Sequence, residues 1–203
     1  MKNYFFPTDG ISKEESVIRG KQYRITVLTP SLFRLEYSEN GIFEDRATQS
    51  VVNRNFPRVP FQTSMEGNWL TIETEKLILR YDQKAFSEKG LQIRVKEVGG
   101  AVWHFGQELH DLKGTCRTLD CEDGDVYVLP NEKKEKIDLG TGILSREGFS
   151  VIDDSKSLAL TENGWVAQRK GDQDLYFFGY GHRYFDALRD FYILCGKTPL
   201  LPR

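Results

Sequence analysis

Residues 113–124 carry the side-chain types that could hold a ligand. Arg117, Asp120, Glu122 and Asp123 lie there between glycines, and glycine allows the backbone to approach a bound molecule closely. Polar, glycine-flanked segments are also ordinary connections between strands, and composition alone favours that second interpretation.

Two further polar segments cover residues 140–148, which include Arg146, and residues 152–155, which include Asp153 and Asp154. Adjacent residues of a strand face opposite sides of a sheet, so the two aspartates cannot form a catalytic carboxylate pair by themselves. A turn capped by its own Asp and Ser side chains is the simpler explanation for residues 152–155.

Residues 177–184 are rich in aromatic residues and glycine. Aromatic side chains stack on sugar rings, although they more often belong to a hydrophobic core. The sequence contains no GxSxG, HExxH, Walker or GxGxxG pattern. It therefore offers no starting point for a serine hydrolase, a metallopeptidase or a nucleotide-binding protein.

Cysteines and histidines are few and widely spaced. They are Cys116, Cys121, Cys195, His104, His110 and His182. The spacing of the first two cysteines is not that of a CxxC motif, and no zinc site can be assembled from these residues by sequence. We therefore expect no metal and no cofactor. An odd number of cysteines, in a chain without an export signal, predicts reduced thiols.

The overall composition predicts a folded domain without a nucleic-acid or membrane partner. The chain has 203 residues, 39% of them hydrophobic and 29% charged, with a formal net charge of −2. Such a length fits one large all-β domain or two small ones. Pro7 and Asp9 interrupt the apolar N-terminus, and no apolar run approaches the length of a membrane span, so we expect a cytoplasmic location.

In the elements that would position these segments, apolar and polar side chains alternate with a period of two residues. Residues 23–28 and 31–37 alternate between apolar and polar side chains, and a Thr-Pro pair separates them. Gly67-Asn68 predicts a tight turn between residues 61–65 and 69–73. Further runs cover residues 76–81, 91–95, 101–105, 126–129, 149–152, 158–160 and 175–178. Many short strands without intervening helices predict an antiparallel sandwich or barrel.

One amphipathic helix is predicted near the end of the chain. Tyr184, Leu188, Phe191 and Cys195 recur at helical spacing, and Gly196 follows as a C-cap. We expect the apolar face of this helix to pack on the sandwich. Residues 197–203 fit equally well a linker entering another packed element and an ordinary tail folded back on the domain.

The order of these segments resembles the N-terminal domain of bacterial family-31 glycoside hydrolases, of the α-glucosidase and α-xylosidase type. The resemblance rests on Gly-Thr-Cys-Arg-Thr-Leu-Asp at residues 114–120, Asp-Gly at 123–124, Leu-Ser-Arg-Glu-Gly at 144–148 and Asp-Asp-Ser at 153–155. It continues through Gly-Tyr-Gly-His-Arg-Tyr at 179–184 and Ala-Leu-Arg-Asp-Phe-Tyr at 187–192, and ends with residues 196–203. It covers roughly the second half of the chain.

The resemblance implies a galactose-mutarotase-like β-sandwich over residues 1–182, a helix packing on it over 183–196, and the start of a linker over 197–203. In that family the linker leads into a (β/α)8 barrel, which carries an Asp nucleophile and an Asp acid/base for retaining hydrolysis of α-linked sugars. Neither motif can be matched to a residue of this chain. Because such a barrel needs about 250 residues, it cannot be hidden here, and we expect the chain alone to be inactive.

Three functions remain open. The first is a non-catalytic domain that stabilises its own barrel and lends loops to the edge of an oligosaccharide site. Arg117, Asp120, Arg146, Asp153 and Asp154 are the candidate sugar contacts, although salt bridges within the sandwich would explain the same residues. The second is an independent carbohydrate-binding module, disfavoured because Trp69, Trp103 and Trp165 all have strand-like, core-like contexts. The third is an epimerase of the mutarotase type, with a histidine as acid or base.

Overall fold

The computed structural model describes residues 7–110, 125–128, 133–136, 142–163 and 165–196. The segment 113–124, with the predicted sugar contacts Arg117 and Asp120, lies outside the described residues, as do residues 197–203. The proposed division at residues 182 and 196 is not tested by the fold and stays a prediction.

Short strands are the main regular secondary structure of the described chain. The strands are β1 (Val17–Arg19), β2 (Tyr23–Thr29), β3 (Leu32–Tyr37), β4 (Gln62–Glu66), β5 (Trp69–Glu73), β6 (Leu77–Tyr81), β7 (Leu91–Val95), β8 (Val102–His104), β9 (Asp125–Val128), β10 (Lys133–Lys136), β11 (Ser150–Asp153), β12 (Ala159–Leu160), β13 (Val166–Ala167) and β14 (Gln173–Phe178). The α-helix, α1, spans Tyr184–Cys195, and single 3-10 turns lie at Glu14–Ser16 and Val98–Gly100.

Two five-stranded antiparallel sheets form the body of the domain. The first sheet has the order β1-β2-β3-β14-β11, and the second has the order β4-β5-β6-β7-β8. Strands β9 and β10 pair with each other, as do β12 and β13. The predicted turn at Gly67-Asn68 joins β4 to β5, with Gly67 in the left-handed region at φ 58°. The described strands thus confirm the all-β antiparallel class.

The alternation within the strands explains why the two sheets pack face to face. Ile25, Phe33 and Leu175 of the first sheet share one hydrophobic cluster with Leu79 and Ile93 of the second. Rings from the two sheets also meet, since the centroids of Trp103 and Phe177 are 5.3 Å apart. Burying one apolar face of each sheet against the other is the arrangement that stabilises a β-sandwich.

The opposite face of the first sheet is covered by α1 and by the chain that follows β3. Leu28, Leu32 and Phe178 of the sheet pack in a second cluster with Ala187 and Leu194 of the helix. The amides of Val52 and Asn53 both donate to the carbonyl of Leu194, at 3.0 Å, and so satisfy a carbonyl of the last helical turn. Gly196, at φ 92°, ends the helix where the sequence predicts its end.

The three tryptophans do not share one environment. Trp103 is 2% exposed and lies in the core, as predicted, and Trp69 is half-buried. The core position predicted for Trp165 is wrong, because its side chain is 76% exposed. It precedes β13, which pairs with the two-residue strand β12 and belongs to neither of the two large sheets.

Among the described residues, no helix combines the length and the apolar character that crossing a bilayer requires.

Candidate functional site

Strand β11 ends at Asp153, the first residue of the predicted pair, and Asp154 follows directly after it. It is the outer strand of the first sheet and pairs with β14, with Asp153 opposite Leu175. Asp153 is exposed, and its Oδ1 accepts a hydrogen bond of 2.9 Å from the amide of Ser155, which forms an Asx turn. Asp154, one residue later, has no exposed surface. The two carboxylates therefore face different surroundings.

Asp154 belongs to the interior of the domain. Its Oδ2 accepts a hydrogen bond of 2.8 Å from Thr48 Oγ1, and guanidinium nitrogens of Arg54 and Arg169 lie 3.7 Å from the same oxygen. Desolvation by burial raises the pKa of this carboxyl. The direct sugar contact predicted for Asp154 therefore finds no accessible surface in this structure.

Asp154 belongs to a group of buried charged side chains, which we call the buried ionic network. Its members are Arg24, Arg34, Glu36, Arg54, Asp154, Arg169 and Asp174. Arg34 donates to both carboxylate oxygens of Asp174, at 2.9 and 2.7 Å, and Arg169 reaches Oδ2 of the same residue at 2.7 Å. Arg24 holds Glu36 through Nη2 at 2.7 Å. Bidentate pairs of this kind offset the cost of burying charges only when nearly every partner is satisfied.

Asp174 lies at the centre of the network and is completely buried. Burial opposes its ionisation, but the guanidinium groups of Arg34, Arg54 and Arg169 outweigh that effect and lower its pKa to about 2. Tyr176, two residues further along β14, receives a hydrogen bond of 2.5 Å from Arg54 Nε. The network thus fixes β14 and the chain after β11, and it positions the turn that carries Asp153.

A groove of about 750 Å³ separates β11 from α1. Asp153 and Ser50 contribute polar atoms to its lining, and Leu188, Phe191 and Tyr192 contribute apolar helix surface. Aromatic rings beside a carboxylate can hold a sugar, because rings pack on its apolar face while the carboxylate accepts from its hydroxyls. This groove is the candidate functional site.

The groove is suited to binding more than to covalent chemistry. Burial raises the pKa of the Cys195 thiol, which also lines the groove, to about 12, so this sulfur stays protonated and is a poor nucleophile. In the described ranges, no group of three or more His, Cys, Asp or Glu side chains is placed to hold a metal ion.

Arg146 lies at the other end of β11, in the loop that leads into the strand, and its side chain is exposed. Its carbonyl oxygen is 3.1 Å from Nε2 of His182, which precedes α1. His104 makes a similar contact, with Nδ1 at 3.2 Å from the carbonyl of Glu88. Arg146 thus lies in the loop before β11, whereas Asp153 is the last residue of that strand.

Sequence analysis missed the buried ionic network. Arg34 and Glu36 alternate with the core residues of β3. In sequence they therefore resemble the polar side chains on the solvent-facing side of a strand. One signal was available: Leu28 and Leu32 occupy the same face of the sheet as these charges, which indicates that something covers that face.

The chain matches no protein-family model and no curated protein. Among solved structures, it resembles a GH31 dextranase of Flavobacterium johnsoniae in a substituted form complexed with isomaltotriose, with a TM-score of 0.52 and 12% identity. The match covers 92% of this chain and 27% of the dextranase chain. The same dextranase complexed with glucose gives a TM-score of 0.47, at 12% identity and the same coverage of 92% and 27%.

The chain therefore spans about a quarter of the length of the dextranase it resembles, since the match covers 27% of the dextranase chain. At 12% identity, the likeness is one of fold. This all-β sandwich with its C-terminal helix has the fold of one part of a GH31 dextranase.

Proposed function

We propose that the chain is the non-catalytic β-sandwich domain of a longer retaining α-glycosidase of the family-31 type, which acts on α-linked oligosaccharides. The observation that carries the proposal is the fold match, which uses 92% of this chain but only 27% of a dextranase chain. The sequence resemblance over residues 114–203 points to the same family. In this proposal the catalytic aspartates belong to a barrel outside the chain.

The surface of α1 offers a place where such a barrel could pack. Phe185 is 88% exposed, and Tyr192 and Ile193 are also exposed on the outer side of the helix. A second groove, of about 890 Å³, runs past Tyr192 and Ile193 between the helix and the chain at Pro7 and Val52. Exposed apolar side chains on one helix mark an interaction surface, because leaving them in water is unfavourable.

The groove between β11 and α1 would then border the sugar site. Asp153 is exposed at the groove, and Arg146 is exposed at the far end of β11. Both groups can form charge-assisted hydrogen bonds with sugar hydroxyls. Arg117 and Asp120 remain proposed contacts from the sequence resemblance. Asp154 is assigned a structural role instead, because it is buried.

A test compares Asp153→Ala and Arg146→Ala in the full-length protein, using hydrolysis of isomalto-oligosaccharides. We expect a loss of about tenfold in kcat/KM for the Asp153 variant, the effect of one lost charged hydrogen bond. Glu66→Ala, at an exposed position at the end of β4, is the matched control and should leave kcat/KM unchanged. Kinetic constants equal to wild type in both test variants would remove the groove from the sugar site.

One observation favours a second function, an independent carbohydrate-binding module. Trp165 is 76% exposed and lies next to Val166, which is 43% exposed. An exposed indole ring can stack on a sugar ring. Titration of the chain with isomaltotriose, followed by the fluorescence of wild type and of Trp165→Ala, separates the two functions. Saturable binding that Trp165→Ala abolishes would favour the binding module.

A further inference from the structure

The outer face of the second sheet carries a polar row that no other described element covers. The cross-strand pairs Thr71–Arg80, Arg80–Gln92 and Gln92–His104 place these four side chains side by side from β5 to β8. Their neighbours along the strands, Ile72, Leu79, Ile93 and Trp103, lie in the core. Because side chains alternate along a strand, the row faces away from the sandwich.

Two arginines with exposed side chains lie close together on this face. Arg80 lies directly opposite Gln92, and Arg94 lies two residues further along β7, opposite Ile78. Such diagonal neighbours have their Cα atoms about 7–8 Å apart, so their guanidinium groups can reach one ligand. Both side chains are exposed.

Neither arginine is neutralised by a carboxylate within the described ranges. The guanidinium of Arg80 lies 5.2 Å from the centroid of the Trp69 ring, a cation–π contact that leaves its charge in place. Glu73, on the same face, is already paired with Lys96 at 2.7 Å. Both guanidinium groups therefore keep their positive charge available for a ligand.

A small groove lies between the two arginines. It has a volume of about 270 Å³ and is lined by Ile78, Arg80, Gln92, Arg94 and Val102. Ile78 and Val102 give it an aliphatic floor, while the other three provide hydrogen-bond donors. Its volume matches a ligand of about the size of one sugar ring, below the range typical of drug-sized pockets.

We propose that this groove binds a monosaccharide-sized molecule that carries an oxyanion, either a carboxylate or a phosphate. Arginine presents a planar set of donors that matches both oxyanions, and two arginines can clamp one of them. The aliphatic floor contacts the apolar face of the sugar, and the Gln92 amide bonds a hydroxyl. The site is distinct from the groove at β11, because it lies on the outer face of the other sheet.

The test is titration calorimetry of the chain with glucuronate, glucose 1-phosphate and uncharged glucose at low salt. We expect one of the two anions to bind with a dissociation constant in the millimolar range or below, and glucose to bind at least tenfold more weakly. The stronger anion identifies the oxyanion. Raising the salt concentration should weaken binding, since the contact is electrostatic and exposed.

Substitutions of the two arginines test whether they are responsible for the heat of binding. Arg94→Gln should weaken binding of the anion at least tenfold, and the double variant Arg80→Gln/Arg94→Gln should abolish it. Arg19→Gln, an exposed arginine on β1 of the other sheet, is the matched control and should bind as wild type. Arg94 makes no ion pair among the described residues, so its variant should keep the wild-type unfolding temperature and remain a valid test. Absence of anion binding in wild type, or unchanged binding in Arg94→Gln, would overturn the proposal.

Discussion

Arg34 and Asp174 lie 140 residues apart in the chain, and their side chains meet through two hydrogen bonds, of 2.9 and 2.7 Å, on adjacent strands. Both side chains are fully buried or nearly so, with 2% and 0% exposure. This pair links the early strands of the first sheet to the last one. It therefore holds together the sheet on which both α1 and the groove at β11 rest.

Asp174→Asn should strongly destabilise the domain. The substitution leaves Arg34 and Arg169 buried beside a neutral partner, and removing one member of a buried ion pair costs about 3–5 kcal/mol. Urea unfolding at pH 7 measures the loss. Asp45→Asn is the matched control, because Asp45 pairs with Arg24 of the same network but is 62% exposed. Its loss should stay below about 1 kcal/mol, and equal losses in the two variants would contradict this account.

Asp154→Asn should cost less stability than Asp174→Asn at pH 7. Burial raises the pKa of Asp154, whereas arginine partners lower that of Asp174 to about 2, so the fold disfavours the charged form of the first relative to water and favours that of the second. An asparagine at position 154 keeps an acceptor for Thr48 and removes a buried charge. Urea unfolding of both variants in parallel checks the order, and a larger loss for Asp154→Asn would reverse it.

Stability should fall as the pH is lowered from about 4.5 to about 2. Burial alone would raise the pKa values of Asp174 and Glu44, but arginine partners, and for Glu44 also backbone amides, lower both to about 2. A carboxyl whose pKa is lower in the folded state stabilises the fold above its unfolded pKa, and this stabilisation is lost as pH falls through the folded value. Unfolding temperatures measured across this range should show the decline, and Asp174→Asn should flatten it. An equally steep decline in the variant would exclude Asp174 as a cause.

Trp103→Ala and Trp165→Ala should separate a core tryptophan from a surface one. Trp103 is 2% exposed and contacts Phe177 across the sandwich, so its removal should cost about 3–5 kcal/mol. Trp165 is 76% exposed, and its removal should change stability by less than about 0.5 kcal/mol. Chemical unfolding followed by circular dichroism measures both, and a large loss for Trp165→Ala would mean that its ring packs against the domain.

The outer side of α1 should make the isolated chain self-associate at high concentration. Phe185→Ser removes the most exposed of its apolar side chains, at 88%, and should shift sedimentation at high concentration toward the monomer. Ile11→Ser is the control, because Ile11 is 67% exposed but lies outside the helix. Identical sedimentation of wild type and Phe185→Ser would show that this face does not attract apolar surface.

Periodicity in the sequence predicts the strands and the helix because their hydrophobic pattern is local. Tyr184 and Cys195 are the observed ends of α1, and the apolar residues between them recur at helical spacing. The buried ionic network could not be predicted in this way, since the partner of Arg34 is 140 residues away and the pattern of β3 fits a solvent-facing row equally well. The burial of Trp165 could not be predicted for a related reason. The sequence of a strand-like segment does not reveal which sheet, if any, the segment joins.

The candidate site is predicted only in part. Asp153 lies at a groove and Arg146 lies in the loop before β11, but their role as sugar contacts stays a prediction. The burial of Asp154 depends on Thr48 and on arginines from distant segments, and a sequence pattern carries no information on such long-range contacts.

The mass of the native protein in its source cells tests the central claim most directly, using an antibody raised against this chain. We expect a single polypeptide several-fold larger than 23.4 kDa, and we expect it to co-purify with an activity that hydrolyses α-linked oligosaccharides. A polypeptide of 23.4 kDa without such activity would contradict it, because a domain of this mass has no room for a catalytic barrel.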